Sequence, residues 1–292
     1  MTTTSAKQPR MKPSGGGISI NPSESGAAVI LLAVALSIVM LALLATAASL
    51  THSVQQPHVN QEQQDYLATV RTRIGAYYYE NAWALSQSTT FPLSGNALLT
   101  DSDVVPRYNI QICVSGENFL GTYQIPYFNI WLWVPPAGGG SDATCSGGTF
   151  TPNNVTNYTE YSGATAQTEL LKASEEQVDE VGNDLVAAFA AMQQSGGVHN
   201  ANIDYFKPGN CDGNNGGGML SCAENWTNAP AMGLKNMIGA GTIFHRNAWG
   251  QELQMVNTNP IANDQTIPFT IYIRSPLPGG QYIENEYAEP LG

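Results

Sequence analysis

Four histidines and a short oxygen-rich loop are the groups in this 292-residue chain that could catalyse a reaction or hold a metal. His52, His58, His199 and His245 stand apart from one another; none belongs to an H-E-x-x-H pair, and no serine occupies a G-x-S-x-G elbow. An isolated histidine packs or solvates far more often than it catalyses, so no catalytic residue and no resident cofactor is expected. The loop Asp212-Gly213-Asn214-Asn215-Gly216 offers oxygens in the manner of a calcium turn. A full EF-hand also needs a carboxylate at its twelfth position, and Cys222 falls near there, so the expectation is a surface loop without metal.

The cysteines Cys113, Cys145, Cys211 and Cys222 have no C-x2-C spacing and no histidine at ligand spacing, which argues against zinc and for disulfides. Three pairings are open to four cysteines. Sequential pairing is expected: Cys113 with Cys145 would staple two neighbouring strands, and Cys211 with Cys222 would close the loop CDGNNGGGMLSC. Trp131 and Trp133 lie on one face of the alternating segment FNIWLWV and are the candidate interface residues. The competing expectation is that this strand is covered on both faces.

The elements that would carry these groups begin with an apolar run. Ala27 to Leu50 contains 24 residues without a charge, enough to cross a bilayer as a helix. Lys7, Arg10 and Lys12 precede it against Glu24, which puts the N-terminus in the cytoplasm and Thr51 onward outside. A cleaved secretory signal ending at Ala45-Thr46-Ala47 is the alternative, although the run exceeds the usual signal core. With those four charged residues set aside, 8 basic and 22 acidic side chains remain. Such an acidic part has no basic patch for phosphate, and no nucleic-acid partner is expected.

Beyond the run, 59–85 keeps a helical period through Tyr66, Val70, Ile74 and Tyr77 or Tyr78, with a kink expected at Pro57. Two strands follow: 108–114, with Tyr108, Ile110, Ile112 and Val114 on one face, and 128–134, with Phe128, Ile130, Leu132 and Val134 on one face. A second helix over 165–194 carries Leu171, Val178, Val181, Leu185, Phe189 and Met192, with Glu175, Glu176, Asp179 and Glu180 toward solvent. Gly196-Gly197 ends it, and strands at 252–256 and 269–275 close the chain. Segments 125–140 and 267–280 share an Ile-Pro opening, an alternating strand and a Pro/Gly exit, which suggests duplication.

The expected architecture is therefore α+β: a transmembrane helix continuing into an amphipathic spine packed on antiparallel strands, then a second helix-plus-hairpin module. Its divisions are 1–26 leader, 27–51 membrane helix, 52–150 first module and 151–292 second module with the disulfide loop.

A short polar leader ending in Gly26, then an apolar helix running into an amphipathic one, resembles the class III prepilins: type IV pilins and type II secretion pseudopilins. Asn247-Ala248-Trp249-Gly250-Gln251-Glu252-Leu253 is similar to the family's Asp-Pro-Trp-Gly-Asn-Pro-Tyr segment, and SPLPGG at 275–280 to its closing Ser-x-Gly-Pro-Asp-Gly. The resemblance implies a structural subunit, cleavage between Gly26 and Ala27 by a prepilin peptidase, and partners that are other pilin or pseudopilin subunits. It also implies the bacterial inner membrane, with the C-terminal part periplasmic or carried into a surface pilus. Glu24-Ser25 stands where the family leader has a basic residue before its Gly, and Leu31 stands where most members have Glu. That departure is most like a minor or tip subunit. An exported adhesin or binding protein, using its helix only as an anchor, is the alternative.

Overall fold

The computed structural model describes residues 59–136, 142–195, 202–208, 211, 216–239, 245–257 and 267–290. The chain divides into Met1–Asn60 and Gln61–Gly292, and the fold below is that of the second unit. The expected leader, membrane helix and Pro57 kink lie outside the described residues. Among the described residues no helix is long and apolar enough to cross a membrane.

Helix α1 spans 59–80, and after Asn81 the single turn α2 (Ala82–Leu85) continues it. Leu67, Val70, Ile74, Tyr78, Ala82 and Leu85 recur every three or four residues and are at most 2% exposed. The expected period is present, with Tyr66 and Tyr77 as partly buried flanks of the stripe. Each of these large side chains stabilises the fold by roughly 1.5–3 kcal/mol through burial.

The stripe is covered by an antiparallel sheet in the order β1-β4-β7, made of β1 (Gln111–Val114), β4 (Asn129–Trp133) and β7 (Tyr158–Ser162). Phe128, Ile130, Leu132 and Val134 all face α1, as their alternation predicts. Strand β1 is shorter than expected, because Tyr108 and Asn109 have φ of 60° and 45° and cannot lie in a strand. Between these strands run two hairpins, β2 (Asn118–Leu120) with β3 (Ile125–Tyr127), and β5 (Thr144–Ser146) with β6 (Thr149–Thr151). Helix α3 (Gly95–Asp101), capped by Ser94 Oγ on the Ala97 amide, closes the end of the core with Leu98 and Leu99.

Helix α4 (Gly163–Ser195) is 33 residues long, about 50 Å, and serves both sheets. Gly163 starts it against the first core: a Cβ there would strike the Tyr78 ring and the Phe128 carbonyl. Farther along, Val178, Val181, Leu185 and Phe189 enter a second core. The expected stripe holds there, whereas in the first half Leu170 rather than Leu171 is the buried leucine. The four predicted solvent-side carboxylates are exposed.

The second sheet has the order β11-β10-β9-β8, antiparallel throughout: β8 (Thr227–Asn228), β9 (Gln254–Val256), β10 (Thr270–Pro276) and β11 (Tyr282–Ala288). The short helix α5 (Leu234–Ile238) packs with α4 against its inner face. The molecule is thus α+β with antiparallel sheets. Both similar segments noted above contribute a central strand, β4 between β1 and β7 and β10 between β9 and β11. The boundary drawn at 150/151 falls inside β6, and β7, assigned to the second module, pairs with β4 of the first.

Candidate functional site on the first helix

Because α1 buries only one stripe, its opposite face is open. Gln61, Asp65, Ala68, Thr72, Ala76 and Tyr79 are all exposed, with spacings of three or four residues. Beside this face lies a recess of about 610 Å³ between α1 and the loop 102–109. Glu62, Asp65, Tyr66, Thr69, Val70 and Arg73 line it from the helix. Val104, Val105, Arg107 and Tyr108 line it from the loop.

The loop is pinned to the helix by four hydrogen bonds, the longest from Tyr108 Oη to Glu62 Oε2 at 3.4 Å. Tyr66 Oη donates to the Val105 carbonyl at 2.6 Å and accepts from the Arg107 amide at 2.8 Å. Arg73 Nη1 donates to the Asp103 carbonyl. Tyr66 and Tyr108 meet edge to face at 5.6 Å. Asp103, Tyr108 and Asn109 hold φ between 45° and 60°, an uncommon backbone state for residues with a side chain. Both guanidinium groups are at the surface, as are Glu62 and Asp65, so the recess offers charges of both signs over an apolar floor of Val70 and Val104. This arrangement can dock a partner surface.

The junction of the two sheets is polar and fully buried. Gln167 Nε2 donates to Ser86 Oγ at 2.6 Å and to the Pro126 carbonyl at 3.1 Å, and its Oε1 accepts from Trp249 Nε1 at 2.8 Å. Trp249 belongs to the turn Asn247–Gln251. Asn247 Oδ1 accepts from the amides of Trp249 and Gln251, while its Nδ2 donates to Ser275 Oγ and the Pro276 carbonyl. Gly250, at φ 77°, supplies the left-handed residue that closes the turn. The stretch singled out in the sequence for its Trp-Gly pair therefore docks the second sheet onto α4. Gln167 and Ser86 carried no sequence signal.

Both disulfides form as paired above, Cys113 with Cys145 and Cys211 with Cys222. The first ties the β5–β6 hairpin across the outer face of β4. That hairpin packs on the tryptophans. Phe150 stacks on Trp131 at 5.8 Å and tilts against Trp133 at 5.3 Å, and Trp133 Nε1 donates to Asp142. Trp133 is 5% exposed, so its area is spent inside the chain. Trp131 is half-buried and borders a shallow recess of about 300 Å³.

Beside the Cys211–Cys222 loop, Asp204 and Lys207 form a buried ion pair at 3.6 Å, and Asn257 bonds the carbonyls of Phe206 and Ser221. Residues 212–215 of the oxygen-rich turn, the processing residues Gly26 and Ala27, Leu31, and His52, His58 and His199 lie outside the described residues. His245 is half-buried, its carbonyl accepting from the Leu253 amide. Among the described residues no group of three or more His, Cys, Asp or Glu gathers as a metal site. Comparison with protein-family models, curated proteins and solved structures returns no match.

Proposed function

We propose that this chain is a pilin-like structural subunit, a minor component of a bacterial type IV pilus or a related secretion or conjugation apparatus, and that it acts by assembly. The observation that carries the reading is the division of labour on α1: one stripe is buried on an antiparallel sheet, while the opposite face stays open. In the sequence a 24-residue apolar run precedes this helix. A helix of that kind can rest in a bilayer and later exchange lipid for the helices of neighbouring subunits. The open face of α1 and the recess beside it would then meet those neighbours. The turn at Asn247–Gln251, similar to the family's segment, opens the last strands and supports the same reading. Leu31, in place of the usual Glu, favours a subunit that starts or caps a filament.

Mass spectrometry of the mature N-terminus tests this. The expected result is a methylated chain beginning at Ala27; a chain starting at Met1, or after Ala47, overturns the proposal. The alternative, an anchored exported binding protein, draws on the open outer face of the second sheet.

A further inference from the structure

The inner face of the second sheet is filled by Leu253, Met255, Ile271 and Ile273; its outer face is half-buried at Gln254 and Arg274 and exposed at Asn228, Tyr282, Glu284 and Glu286. By register, one row of outer side chains crosses all four strands: Glu284 on β11, Arg274 on β10, Gln254 on β9 and Asn228 on β8. The row is already linked. Arg274 Nε donates to Gln254 Oε1 at 2.8 Å, Gln254 Nε2 to Asn228 Oδ1 at 3.5 Å, and Asn228 Nδ2 to Glu252 Oε2 at 2.6 Å. Glu252 also pairs with Arg246 at 3.5 Å. Every group in this ladder is planar, and from Arg274 to Arg246 each is held in place by the next, while Glu284 stands exposed beside Arg274.

Two aromatic rings flank the ladder. The Arg274 guanidinium lies 4.2 Å from the Trp226 ring centroid and 3.9 Å from that of Tyr282. With two rings against it and Nε engaged, Arg274 has its two Nη groups left to present. Tyr282 remains 39% exposed, and Trp226 is half-buried. Trp, Tyr and Arg held together on an open face are the residues that dominate binding energetics.

The chemistry narrows the occupant. Two guanidinium groups and the two carboxylates Glu252 and Glu284 balance along the ladder, and Glu286 stands one step beyond. An anionic ligand would meet the acidic body and a cationic one the clamped arginine, so the complement is neutral. Donor and acceptor groups alternate at short spacing, which suits a ligand whose groups each donate and accept, namely hydroxyls. Exposed ring surface beside them suits the apolar C–H face of such a ligand. We propose that the outer face of the β8–β11 sheet binds a neutral oligosaccharide, with Trp226 and Tyr282 as stacking platforms and Arg274, Gln254, Asn228 and Glu284 as hydroxyl partners. The site stands independently of filament assembly.

The test is saturation-transfer NMR on the full chain in a detergent without a sugar headgroup, with maltotriose, cellotriose and triacetylchitotriose as probes. At least one trisaccharide is expected to bind in the millimolar range or tighter, and Tyr282→Ala and Glu284→Gln are each expected to weaken it about tenfold. Both positions are exposed, so these variants leave the core intact; Trp226→Ala is the more severe companion. No signal from any probe at about 10 mM overturns the proposal. Binding unchanged in all three variants overturns it as well. Loss of self-association in the variants, without sugar binding in the parent, would assign the face to a protein contact instead.

Discussion

The indole N–H of Trp249 donates to the side-chain carbonyl of Gln167 across 2.8 Å, joining the turn before β9 to the first half of α4 where neither residue reaches solvent freely. Gln167 spends its amide nitrogen on Ser86 and Pro126 at the other side, so one side chain connects α2, β3, α4 and the Asn247–Gln251 turn. Replacing Trp249 with Phe keeps most of the buried ring and strands the Gln167 carbonyl. A loss of about 1–3 kcal/mol in urea unfolding is expected, against about 3–5 kcal/mol for Trp249→Ala. Equal stability of the parent and Trp249→Phe would refute the role given to this bond.

Removing the two disulfides separately distinguishes their work. By loop-closure entropy the Cys113–Cys145 bridge, with a separation of 32, contributes about 4 kcal/mol, and Cys211–Cys222, with a separation of 11, about 3 kcal/mol. The double Cys→Ser change at 113 and 145 is expected to cost more in chemical denaturation. It should also release the hairpin from Trp131 and Trp133, seen as a red shift in tryptophan emission that the 211/222 pair does not produce.

Charge reversal in the recess separates assembly from stability. If the chain assembles as proposed, Arg107→Glu and Arg73→Glu are expected to reduce its incorporation into isolated filaments several-fold. The unfolding midpoint should change little for Arg107, whose side chain is exposed; Arg73 also loses its bond to the Asp103 carbonyl. Undiminished incorporation of Arg107→Glu would remove the recess from the assembly surface.

Alkaline pH should loosen the fold through one buried and two half-buried phenols. Burial raises Tyr78 well above its usual range and pushes Tyr161 and Tyr287 up to about 12. Glu169 adds to the rise at Tyr161 against the opposing Arg71, and at Tyr287 Asp179 adds while the Asn285 hydrogen bond opposes. Below pH 10 folded and unfolded chains both hold these protons, so no dependence arises. Between 10 and 12 the unfolded chain has released protons that the folded one keeps, and stability falls as pH rises. Thermal melts across that window, read alongside phenolate absorbance, check the sign.

Periodicity explains what the sequence made legible. The α1 stripe and the inner face of β4 repeat at 3.6 and 2, and each is buried where expected. Strand β11 escaped notice because Ile283 is its only fully buried residue; the strand is held by seven pairings to β10 and by Tyr287, whose ring lies on Gly182 and whose hydroxyl reaches the Val178 carbonyl. Strands β5 to β7 are polar in the same way and gain their place from a disulfide and from β4. The recess depended on left-handed backbone at Asp103, Tyr108 and Asn109, none of them glycine, which no local pattern announces. The Trp226–Arg274–Tyr282 clamp brings together residues from three separate stretches, and only strand register makes them neighbours.

The Cys113–Cys145 bridge also limits how far this chain can be drawn out. The residues it encloses, 114–144, hold roughly 105 Å of extended backbone that a pull on the two ends cannot release while the bond stands. Under tension the first sheet would therefore yield in shorter steps than its residue count allows.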